Sequence, residues 1–187
     1  MNNSNFDIDK LLEKGQIETE LELEQSISAY KKLRILVRDN PSLKKKRKGL
    51  SNLIHEYESI HWSITTKIAK GKIKQSDEAE KIVEQEDAFI SRRKEIIKIK
   101  LKSLKLNQQE FGKILGHNSK SYMSELMTGV RPFSLKDLIV ISSLLKIDLN
   151  DLVFRSIPLE ERRKIKSAIK KLGKPKLKLN TREFAFV

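Results

Sequence analysis

The chain has no cysteine, which excludes disulfides, a thiolate nucleophile and any cysteine-ligated zinc site. Seven glycines and four prolines among 187 residues, with few β-branched alternations, leave little turn punctuation for a sheet and point to an all-α protein. No apolar run approaches the ~20 residues needed to span a bilayer. The opening MNNSNFDIDK has neither the basic n-region nor the apolar h-region of a signal peptide. A soluble cytoplasmic protein without a membrane partner is expected. Also missing are a glycine-rich phosphate loop and a serine in a nucleophile elbow, so neither an enzyme nor a cofactor is expected. In HEYESIH, His55 and His61 stand ~240° apart around a helix, on different faces, rather than at the four-residue spacing a zinc helix needs. No metal site is expected there.

What the chain has in excess is positive charge, 39 lysines and arginines against 25 acids, for a net of +14. An excess of that size points first to polyanions, nucleic acid or an acidic membrane surface. Its distribution is uneven. Residues 1–29 carry a net of −5, residues 30–50 a net of +8 that includes KKKRK at Lys44 to Lys48, and residues 157–187 a net of +7. The middle is nearly balanced, at +1 over residues 51–100 and +3 over residues 101–156.

Apolar spacing predicts a first helix over about 19–38, carrying Leu23, Ile27, Tyr30, Leu33 and Val37 and stopped at Asp39-Asn40-Pro41-Ser42 because proline disfavours helix for the residue before it. A second is expected from about Leu43 to Ser63, burying Leu50, Leu53, Ile54, Tyr57 and Ile60. From Asp77 to about Leu104, apolar positions recur every seven residues, at Ile82-Val83, Phe89-Ile90, Ile96-Ile97 and Leu104. This is either one helix ~40 Å long or a helix that breaks near Ser91-Arg92; a domain boundary is placed there in both cases. Three segments result: an N-terminal helical region, 1–91, for partner binding or dimerisation; a domain of five short helices, 92–156; and a basic C-terminal helix and tail, 157–187. The expected core of the second segment is Leu104, Phe111, Ile114, Leu115, Met123, Leu126, Leu138, Ile141, Leu144 and Leu149. In the third, Pro158 suits the first turn of a basic amphipathic helix over Leu159 to Leu172, and KPKLKLNTREFAFV is read as a short strand or as irregular. The modest apolar face of that helix is assigned to docking on the domain rather than to a membrane.

The stretch LNQQEFGKILGHNSKSYMSELMTG, Leu106 to Gly129, holds two short helical patterns joined by a glycine-containing turn. Asn107 caps the first, and Gly112 lies where a neighbouring backbone approaches closely, a reason to accept its cost of ~1 kcal/mol against alanine. The second starts at Asn118 or Ser119 and buries Met123 and Leu126, leaving Ser119, Lys120, Ser121, Tyr122, Ser124 and Glu125 outward. Two short helices so joined match the helix-turn-helix arrangement, in which the second helix enters the major groove. Hydroxyls and amides there both donate and accept, and lysine suits guanine or phosphate. A solvated helix on an ordinary bundle gives the same spacing.

NQQEFGKILG, SKSYMSEL, GVRPFS and LKDLIVISSLLKIDLNDL resemble the XRE-type (phage-repressor-like) helix-turn-helix domain over residues 92–156. LSNLIHEYESIHWSI, residues 50–64, resembles the segment that precedes this domain in HigA-type antitoxins of type II toxin–antitoxin modules, with Trp62-Ser63 where an aromatic-proline pair is common. The resemblance implies a homodimeric DNA-binding repressor of its own operon that also neutralises a toxin, typically an RNase, by direct binding. Its partners would be double-stranded operator DNA and the toxin. It implies that Gln108 holds a phosphate, that Asn118, Ser119, Lys120, Ser121, Tyr122 and Ser124 serve the recognition face, and that Thr128 and Arg131 lie near the DNA backbone. His117 and Asn118 lengthen the turn relative to many members, which leaves the register of the recognition helix open by one residue. A stand-alone transcriptional regulator, or an interaction adaptor whose helix-turn-helix fold does not read DNA, are the alternatives.

Overall fold

Short polar side chains set where most of the helices begin. Asp7, Thr19, Asn107, Ser119 and Ser134 each accept a backbone N–H that the first helical turn would leave unpaired. The computed structural model describes residues 6–63, 70–155, 159–174 and 177. Within them run α1 (Ile8–Lys14), α2 (Glu20–Asp39), a 3-10 turn at Pro41–Leu43, α3 (Lys44–His61) and α4 (Lys70–Ser103). Then follow α5 (Gln108–Leu115), α6 (Lys120–Thr128), α7 (Leu135–Leu145), a 3-10 turn at Leu149–Asp151 and α8 (Leu159–Lys171). Among the described residues there is no strand, so the chain is all-α as expected.

Helices α2 and α3 coincide within a residue or two with the sequence expectation, although Ile60 of α3, expected to be buried, is 60 % exposed. Helix α1 does not appear in it: a helix of 7 residues that buries only Ile8 and Leu11 has too few apolar positions to register as a period. The long pattern from Asp77 is one helix of 34 residues, ~50 Å at 1.5 Å per residue. It does not break at Ser91-Arg92, because Val83, Ile90, Ile97 and Leu101 keep one buried stripe running through that point. The position assigned as a domain boundary, after residue 91, therefore lies inside α4.

Two apolar clusters form the interior, and one of them includes helix α4. Its C-terminal end supplies Ile97 and Leu101 to a core completed by Phe111, Leu115, Met123, Leu126, Ile141, Leu145 and Leu152. A second core joins Ile8, Leu11, Leu23, Leu33, Leu50 and Tyr57 from α1 to α3, and also takes in Val130, from the loop after α6. Val130 thereby ties the segment after α6 to the N-terminal helices. Polar bonds line α2 against α4: Gln25 donates to Glu86 at 3.0 Å, and Ser28 and Lys32 both donate to Asp87, at 2.9 and 2.6 Å from its Oδ1. Burial pushes the Glu86 carboxyl above the usual carboxylate range, against the opposing pull of Gln25 and Lys32. Tyr57 donates to Glu20 at 2.8 Å and packs against His61, while His55 is exposed; among the described residues no group of three or more acidic, histidine or cysteine side chains is placed to hold a metal.

Four expected core residues are at the surface instead: Leu104 is 49 % exposed, Ile114 48 %, Leu149 45 % and Leu144 37 %. Leu104 falls where α4 ends and the chain reverses through Lys105, at φ 55, so Leu106 packs on the core in its place. Helix α5 presents Phe111, Gly112 and Leu115 inward, which turns Ile114 out. Leu145, Ile147 and Leu152 fill the space that Leu144 and Leu149 were expected to occupy. No helix among the described residues is long and apolar enough to cross a membrane. The expectations for Pro158 and for most of the final KPKLKLNTREFAFV lie outside the described residues.

Candidate nucleic-acid interface

Local chemistry fixes the pair α5–α6 at both ends. Asn107 accepts from the N–H groups of Gln109 and Glu110, each at 2.9 Å, while Glu110 accepts from Asn107 N–H at 2.8 Å, a reciprocal capping box. Gly116 ends α5, His117 and Asn118 form the turn, and Ser119 caps α6 by accepting from Tyr122 N–H at 3.2 Å. Thus α6 starts at Lys120, with Ser119 as its cap. The helices touch at Gly112, where a Cβ would stand 2.7 Å from both the His117 carbonyl oxygen and Met123 Cγ; only glycine allows that approach. His117 Nε2 lies 3.0 Å from Asp137 Oδ1. Since Asp137 also caps α7 through Ser134, the turn is fastened to the helix behind it.

The polar face of α6 splits in two. Ser121 and Glu125, one turn apart, look toward the N-terminal helices. Ser121 Oγ donates to Asn40 Oδ1 at 2.7 Å. Glu125, only 4 % exposed, takes the Lys46 ammonium at 2.6 Å and has the Arg131 guanidinium 3.8 Å away. Both cations also pair with Asp9, Lys46 at 2.8 Å. The Arg131 guanidinium lies 4.5 Å over the Tyr122 ring, which itself sits 4.8 Å from His117. Glu125 was expected to face outward; it is interior, because α3 brings it Lys46, which no local pattern reveals, and the loop after α6 brings Arg131 close.

On the other side, Lys120, Ser124 and Thr128 follow at four-residue spacing and share an arc of the helix. Lys120, Asn118 and Ser119 are exposed. Ser124 receives a long contact of 3.4 Å from the Gln108 amide, and Thr128 donates back to the Ser124 carbonyl at 2.7 Å, a local bond that occupies its hydroxyl. Beyond Gln108 opens a groove of about 360 Å³ lined by Lys98, Lys102, Lys105, Asn107, Gln108 and Met127. Lys98 shares its charge with Glu95 at 3.0 Å; Lys102 and Lys105 pair with no acid among the described residues.

Of the residues named from the sequence, Gln108, Lys120, Ser124 and Thr128 thus lie along the open side of α5–α6, while Asn118 and Ser119 are exposed at the start of α6 and line a groove with Ser42 and Tyr122. Ser121, Tyr122 and Arg131 belong to the seam with the N-terminal helices. Lys98 and Lys102, four residues apart, share a face of α4 by spacing, whereas Lys105 lies past the end of that helix at φ 55; none of the three is among the residues named from the sequence. Asp9 and Lys46 carry no local signal for this site, since both come from outside the segment. Compared with protein-family models, curated proteins and solved structures, the chain matches none.

Proposed function

We propose that the chain is a non-catalytic, double-stranded DNA-binding regulator that contacts its target through the open side of α5–α6. The observation that carries this reading is the lysine-lined groove continuing through Gln108 to Ser124 and the exposed Lys120. Three ammonium groups in a row suit successive phosphates, and hydroxyls beside a lysine suit base edges. In this reading Lys98, Lys102, Lys105 and Gln108 hold the backbone, Lys120 and Ser124 read bases, and Asn118 and Ser119 border the contact. Two copies presenting their α6 helices ~34 Å apart would match a palindromic site, and occupancy of a promoter by that dimer represses transcription. The toxin-neutralising half of the antitoxin reading rests on the resemblance of residues 50–64 alone; recovery of a co-purifying small basic protein from native cells tests it.

The test is binding to the chain's own upstream region against a scrambled duplex at moderate ionic strength. Selective binding is expected, and Lys120→Ala should lose ~1–3 kcal/mol of specific affinity, roughly 5- to 150-fold. Equal weak binding to both duplexes sinks the proposal. A second reading, an interaction adaptor that does not read DNA, draws support from Ser121, Tyr122 and Glu125, whose polar groups serve an internal seam. It requires Lys120→Ala to leave DNA binding unchanged.

A further inference from the structure

The seam places the most basic stretch of the chain beside α6. Lys44 and Lys45 open α3 directly after the 3-10 turn at Pro41–Leu43. Between that turn and the start of α6 lies an open groove of about 460 Å³, lined in part by Ser42, Asn118, Ser119 and Tyr122. Lys44 and Lys45 are exposed and pair with no acid among the described residues. Lys46, the next residue, is by contrast fixed by Asp9 and Glu125, so the start of α3 is held against α6 rather than hanging on a loose arm. Val130 in the N-terminal core and the Ser121–Asn40 bond fasten the same junction. The exposed start of α6 therefore stands between two basic flanks, Lys98, Lys102 and Lys105 on one side and the start of α3 on the other.

We infer that Lys44 and Lys45 form a second phosphate-binding flank, so that the N-terminal helices are part of the nucleic-acid surface and not only a partner-binding region. The inference rests on the proposed DNA-binding reading. Its chemistry is charge complementarity: two exposed ammonium groups that follow directly on Ser42 and Leu43, which line the groove with Asn118, Ser119 and Tyr122, match a phosphodiester strand, as the lysine-lined groove does on the far side of α6. Lys46 acts as a positioning residue: its pairs with Asp9 and Glu125 hold the start of α3, which Lys44 and Lys45 open, against α6.

Each phosphate contact contributes about 0.9 to the slope of log affinity against log salt. In the full-length protein, Lys44→Gln with Lys45→Gln should weaken binding to the native promoter and to a scrambled duplex in parallel, and flatten that slope by ~1.8. Both lysines are exposed, so folding is expected to be unaffected, and circular dichroism checks this. An unchanged slope in this variant, when Lys102→Gln with Lys105→Gln does flatten it, overturns the second flank and leaves the DNA-binding reading standing. Absence of any salt-dependent binding by the unaltered protein overturns both. Glu125→Gln loosens the seam and should also weaken binding; tighter binding would mean that the N-terminal helices cover α6 instead of extending its surface, and overturns the inference.

Discussion

Between Ile97 and Leu152 the interior around α5, α6 and α7 is almost wholly apolar, whereas the seam joining the same α6 to α1 and α3 is built from Asp9, Lys46, Glu125 and Arg131, with Ser121 bonded to Asn40. One helix thus takes part in two kinds of contact. Apolar burial is non-directional and scales with area, so the first region contributes bulk stability. Charges withdrawn from water lose hydration that their pairing only partly restores, so the second adds little net energy. What it supplies is geometry, since ion pairs at 2.6–2.8 Å tolerate few alternative alignments. A surface shared between two helical groups needs both: one to hold its helix in place, the other to set what stands beside it.

Substitutions on the two sides of α6 break or sharpen this contrast. The largest effect is expected from Leu126→Ala, which empties a fully buried site in the apolar core and should cost ~2–5 kcal/mol in urea unfolding; a loss no larger than that of a seam variant would reverse the assignment of roles. Ser121→Ala removes the bond to Asn40 and should cost only ~1 kcal/mol, with any change in nucleic-acid binding exceeding what so small a stability loss can produce. The smallest effect is expected at Glu86, on the polar line between α2 and α4. Its carboxyl is raised in the folded state by burial, so the proton is bound more tightly folded than unfolded. Its contribution is present below the ordinary carboxylate value and is lost as pH rises through the raised one. Glu86→Gln should flatten that decline, and a stability–pH curve identical to that of the parent removes Glu86 from the account.

Much of the fold was legible because helices announce themselves locally. The apolar spacing of α2 and α3, the capping residues Asn107, Ser119 and Ser134, and the glycine stops at Gly116 and Gly129 follow from interactions between residues a turn apart. The open side of the candidate site was legible for the same reason: Lys120, Ser124 and Thr128 share a face by spacing alone, as do Lys98 and Lys102, whereas Lys105 joins them only through the turn that ends α4. The inward placement of Glu125 was not, because Lys46 lies 79 positions away in the chain, and a carboxylate on a polar face looks the same whether water or an ammonium group meets it.

The sequence by itself determined an all-helical chain, the turn between α5 and α6, and a basic excess gathered in blocks, since each depends on local propensity or simple composition. Only the tertiary structure decided that α4 runs unbroken from its polar line with α2 to the apolar core around α5–α7, that half the polar face of α6 is used internally, and that KKKRK begins beside the candidate site. The reason is physical: contacts between distant segments depend on which surfaces bury each other, and burial is a property of the whole packed chain rather than of any stretch of it.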